Sequence, residues 1–145
     1  MTRNLHAFFT FLICIVLDWL WLVGLAGEVL IFRAADWFQP GDLLFYSVST
    51  AGLLMFSIYP ALSVRDRNIA LYYGALFGLA IHGLYGLFNA AWYGYWPTTL
   101  FVADTLWGTF AGTMTGLLGF ELGRWLRMSG SASKDVLLDA GESPD

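Results

Sequence analysis

Three apolar stretches of the chain carry a polar residue followed by Trp at the third position: Asp18 and Trp21, Asn89 and Trp92, Asp104 and Trp107. Residues at i and i+3 share a helix face, so each Trp flanks its polar partner and offers an indole N–H donor. His82, Tyr85 and Asn89 extend this polar face at i, i+3 and i+7. Ionisable groups in apolar surroundings are costly, and proton relays and substrate paths are their typical uses. Asp18, His82, Tyr85, Asn89 and Asp104 are therefore the candidate polar cluster. Trp21, Trp92 and Trp107 are its aromatic walls, joined by Tyr46 and Trp96. A buried carboxylate in such a cluster is protonated or strongly hydrogen-bonded. Two neighbouring acids can share one proton in a coupled titration.

The same residues have a structural reading. Polar side chains also fix helices in register through hydrogen bonds. That role leads for Asn89, whereas function leads for the paired acids, because acids are costlier than amides as glue. His82 by itself reads as a satisfied buried histidine. A metal site from Asp18, Asp104 and His82 is not expected, because His82 falls about two turns below Asn89.

Composition sets the surroundings. Of 145 residues, 58% are hydrophobic, 18% aromatic and only 12% charged, against about 25% charged in an ordinary soluble domain. Cys14, the single cysteine, excludes a disulfide or a thiol cluster within the chain and reads as a small hydrophobe. The net charge of −4 includes several acids of the tail and gives no reason to expect nucleic acid. No nucleophile with a base, phosphate loop or metal motif is present. No cofactor or metal is expected, and whether the chain is an enzyme stays open.

A bilayer core needs about 20 apolar residues in a helix. Four stretches qualify: 5–27, 43–63, 69–92 and 99–125. The first is read as a retained helix, because Asp18, Trp19 and Trp21 do not suit a secretory core. Arg3, Arg65, Arg67, Arg124, Arg127 and Lys134 fall on one side of an alternating bundle and Arg33 on the other. The positive-inside rule then makes both termini cytoplasmic. The expected fold is an all-α integral membrane bundle of four transmembrane helices, multi-pass in a bacterial inner membrane. Residues 1–127 form this domain, and 128–145 are read as a disordered acidic tail. The connection 28–42 is a surface-lying amphipathic element or an ordered loop, closed by a Pro40-Gly41 turn signal. Residues 65–68 and 93–98 are short turns. Glu121 and Arg124 read as a local ion pair.

Gly74 and Gly78, and Gly108, Gly112 and Gly116, are spaced for close helix contact. They are read as an internal contact between the third and fourth spans. Pro60 is expected to kink the second span, with Ser57 available to a freed carbonyl. By depth, Asp18, Asn89 and Asp104 fall in one layer near the outer face.

The blocks FLICIVLDWLWL, FYSVSTAGLLMFSIYPAL, GALFGLAIHGLYGLFNAAWYGYWP and VADTLWGT, in this order, resemble a family of predicted bacterial membrane proteins, domain of unknown function 2177. The resemblance implies a compact four-helix membrane protein and hints at lipid metabolism, without supplying a reaction. The family pattern in the third helix runs Tyr-Asp-x-Thr-Asn, where this chain has Tyr85-Gly86-Leu87-Phe88-Asn89. If the family has a three-acid site, only Asp18 and Asp104 of it are present here. Three roles compete: handling a lipid or apolar molecule near the outer leaflet, serving as an accessory subunit on a partner membrane enzyme, and proton-coupled transport as an oligomer. The expected partners are membrane lipids, with a homodimer or a membrane enzyme as further candidates.

Overall fold

The computed structural model describes residues 2–25, 40–93 and 97–139. They form five helices and no strand: α1 (Thr2–Leu20), α2 (Pro40–Leu53), α3 (Tyr59–Val64), α4 (Arg67–Tyr93) and α5 (Thr98–Asp139). α1 runs on into a π-helical turn, Trp21–Leu25. A second π turn, Leu54–Ile58, joins α2 to α3. The result is four rods, one for each expected span.

The second rod shows how Pro60 is accommodated. Proline has no N–H for the helix ladder, and π turns absorb such interruptions. Tyr59 N–H reaches back five residues to the Leu54 carbonyl. Ser57 does not serve a carbonyl of its own helix, as expected from sequence. Its Oγ donates to the Ala70 carbonyl of α4 at 2.8 Å, so the polar atom ties two rods together. Pro40 opens α2 instead of closing a loop, because a proline at the first helical position gives up an N–H that is unpaired there anyway. Most of the 28–42 connection lies outside the described residues, as does the turn at 94–96.

The α3–α4 turn is tight. Arg65 takes the left-handed conformation (φ 59°, ψ 33°) and its N–H meets the Ala61 carbonyl. Asp66 Oδ1 then accepts the Asn68 N–H at 2.8 Å, satisfying one of the open donors at the start of α4. At the other end of the chain the backbone of α5 stays helical to Asp139. No helix end marks the division expected at 127. Residues 128–139 contain Gly130 but no proline, so nothing in them blocks the helix.

Polar side chains share the interior with an apolar core, and large apolar side chains face outward. His6, Thr10, Thr50, Ser57, Asn89, Asp104 and Thr115 are buried, while Leu, Phe, Val and Trp side chains cover the outside. Water would expel such a surface, and a lipid phase accepts it. The helical stretches Arg3–Leu20, Leu43–Val64 and Arg67–Trp92 are each long and apolar enough to cross a membrane. α5 is diluted by Gly and Thr, but it packs along α4 from the Phe101–Gly86 contact to the Gly116–Ala70 contact. It therefore runs alongside most of the length of α4.

The α4–α5 contact is built from the two glycine rows. A Cβ added to Gly74 would stand 2.5 Å from the Gly112 carbonyl oxygen, and one on Gly116 would stand 2.6 Å from that of Ala70. Gly78 faces the Gly108 carbonyl in the same way. The backbones approach this closely only because no side chain intervenes. At the Arg65 end, Leu54, Ile58, Ala61, Leu62, Ala70 and Phe120 close the core. There the buried His6 ring shares a hydrogen bond with the Gly119 carbonyl through Nε2, at 2.7 Å. Arg127 Nη1 donates to the Leu62 carbonyl at 3.4 Å, and Arg124 pairs with Glu121 at 3.1 Å.

Candidate functional site

The glycine rows set the register that makes the site. Antiparallel pairing of Gly78 with Gly108 and of Gly74 with Gly112 brings His82 opposite Asp104. His82 Nδ1 and Asp104 Oδ2 are 3.4 Å apart. Asp104 is 8% exposed. The imidazole lies over Gly108, where a Cβ would overlap the ring.

This replaces the partner expected from sequence. Asn89 is buried at 6% exposure, but its Nδ2 donates to the Tyr85 carbonyl one turn back, at 2.8 Å. It satisfies its own helix and does not bridge to the acids. The single layer of Asp18, Asn89 and Asp104 is likewise absent. Cys14 meets Thr115 and Trp21 stacks on Trp107, so Asp18 lies level with residues 110–111 of α5. That is about 10 Å along the axis from Asp104, at a rise of about 1.5 Å per residue. His82 lies between them in the order of the site, pairing with Asp104 and sharing a cleft with Asp18.

The cleft has room for about 40 Å³ and is bounded by Asp18 and Cys14 of α1, Phe45, Tyr46 and Ser49 of α2, Phe77 and His82 of α4, and Gly108 and Thr115 of α5. Asp18 hydrogen-bonds to none of the described residues. Its titratable neighbours are His82 and Asp104. Among the described residues no three His, Cys, Asp or Glu side chains are grouped to hold a metal ion.

The aromatic candidates divide. Trp21 and Trp107 stack at 5.5 Å between centroids, and Trp107 Nε1 is buried without a hydrogen-bond partner. Trp92 is 74% exposed and stacks on Phe88 at 5.6 Å, so it belongs to the outer surface and not to a pocket. Tyr85 is on the flank, 6.3 Å from the Phe45 ring, and Tyr46 lines the cleft. Trp96 lies outside the described residues. At Gly86, where the family resemblance would place an acid, the Phe101 ring occupies the space a side chain would need. One turn earlier on that face, His82 supplies an ionisable group instead.

Phe45, Ser49, Phe77 and Thr115 were not singled out from sequence as parts of a site. Their apolar or weakly polar character carries no local signal of chemistry. The His82–Asp104 meeting did have a signal. Matching the glycine rows in antiparallel order, Gly78 to Gly108, places residue 82 beside 104.

No curated protein and no solved structure matches this chain. The model of the family described as predicted membrane protein (DUF2177) matches residues 4–121, a stretch that holds Asp18, His82 and Asp104, and the chain belongs to that family.

Proposed function

We propose that this membrane protein handles the polar group of a lipid or other apolar molecule, with His82 and Asp104 as a coupled acid–base pair and Asp18 as a second carboxylate across the cleft. The observation that carries this is the His82–Asp104 contact of 3.4 Å beside a cleft that Asp18 also lines. Histidine exchanges protons near neutral pH, and a partner carboxylate orients the ring and balances its charge. A cleft of about 40 Å³ admits a few atoms of a head group and no acyl chain. The apolar part of the molecule stays in the bilayer, against the Leu- and Phe-rich exterior.

Orientation follows from the charges. Arg3 stands at the start of α1, Arg65 and Arg67 at the α3–α4 turn, and Arg124 and Arg127 beside that turn on α5. This end faces the cytoplasm by the positive-inside rule, with the chain in a bacterial inner membrane.

The test is a mass-spectrometric lipid profile of cells lacking the protein, complemented by wild type or by the Asp18→Asn, Asp104→Asn double variant. The expected result is a changed profile restored by wild type alone, with the double variant inserted and folded. An unchanged profile would overturn lipid handling and favour transport or a partner-binding role.

A further inference from the structure

The walls of the cleft describe its guest. Asp18 presents a carboxylate without a hydrogen-bond partner among the described residues. Phe45, Tyr46 and Phe77 bring three aromatic rings to the same space, Ser49 brings a hydroxyl, and no Lys or Arg lines it. A carboxyl group in an apolar interior is either neutralised or paired with an opposite charge. Aromatic faces attract cations through their quadrupole. A carboxylate, a hydroxyl and aromatic rings around a small space together recognise an ammonium.

Hydrogen bonding narrows the class. Asp18 and the Ser49 hydroxyl offer acceptors to the cleft. A trimethylammonium has no N–H to donate to them, whereas a primary ammonium does. A primary ammonium has three N–H donors, which Asp18 and Ser49 can accept. Phe45 is 36% exposed and packs near His82 at 6.5 Å between ring centroids, so it stands at the rim between the bilayer and the acid–base pair.

From this we infer that the cleft binds the primary ammonium of a lipid head group, which enters sideways past Phe45 and pairs with Asp18. The inference rests on the lipid-handling reading and names its substrate class.

The test follows thermal unfolding of the purified full chain in neutral detergent. Phosphatidylethanolamine, phosphatidylcholine and phosphatidylglycerol with identical acyl chains are added separately, and free ethanolamine forms a fourth arm. A ligand that binds only the folded state raises the midpoint. The expected result is a rise of several degrees with phosphatidylethanolamine only, abolished in Asp18→Asn and reduced in Phe45→Leu. The rim variant keeps the question open to measurement if the Asp18 variant does not fold. Equal rises with all three lipids, or a rise that survives Asp18→Asn, would overturn the ammonium assignment. The lipid-profile experiment would still stand, because its readout is independent of head-group selectivity in vitro. A rise with free ethanolamine equal to that with the lipid would overturn the lipid as guest. No rise in any arm would likewise overturn the ammonium assignment.

Discussion

The imidazole of His82 rests directly on Gly108: a Cβ at position 108 would stand about 2.5 Å from the His82 Cβ and overlap the ring. The position of the ring, and hence its reach to Asp104, depends on the absence of a side chain one turn along α5. Gly108→Ala should push the ring aside and separate the pair. The expected cost in stability is about 1–3 kcal/mol, typical of overpacking, and activity should fall more than stability does. Unfolding in detergent read beside lipid-profile complementation would check this. A Gly108→Ala variant that complements fully would show that the His82–Asp104 contact is dispensable.

His82 and Asp104 should be energetically coupled. Groups in direct contact show interaction energies of about 0.5–3 kcal/mol in double-mutant cycles. The cycle built from His82→Gln, Asp104→Asn and the double variant should give a value in this range. The parallel cycle of Asn89→Ala with Asp104→Asn should give nearly none, because Asn89 bonds to the Tyr85 carbonyl. Coupling between Asn89 and Asp104 as large as that of His82 with Asp104 would contradict the observed geometry.

The helix glycines should respond unequally to alanine. Gly78 faces the Gly108 carbonyl, and Gly112 faces that of Gly74. Alanine at either position must force the backbones apart, and overpacking costs about 1–3 kcal/mol. The space above Gly83 holds only Thr105 Cγ2 at 3.8 Å, an ordinary contact. There alanine should be neutral or stabilise by about 0.5–1 kcal/mol, the helix preference of Ala over Gly. Thermal unfolding of the three single variants tests the order, and a destabilised Gly83→Ala would count against the described packing.

Arg65 carries the left-handed backbone of the α3–α4 turn, with φ at 59°. A non-glycine residue pays about 1 kcal/mol or more there. Arg65→Gly should raise the unfolding midpoint, and Arg65→Val should lower it, because β-branched residues tolerate this region worst. Equal midpoints for the two variants would show that the turn is not held in this conformation.

By itself the sequence determined the class of the protein. Apolarity is a property of each residue, and summed over a stretch it fixes which segments leave water. The four rods and the glycine spacing could therefore be read locally. So could the identity of the ionisable groups. Pairing could not be read this way, because Asp104 contributes the same letter whether it meets Asn89 or His82. The tertiary structure decided in favour of His82, since close packing of Gly74 and Gly78 against Gly108 and Gly112 fixes the sliding of α5 along α4. It also turned Trp92 outward and bent Asn89 back onto its own helix. Phe45, Ser49 and Phe77 were recruited into a cleft that no single helix encodes. Spacing along one helix states which side chains share a face, but only the docking of several helices states what that face meets.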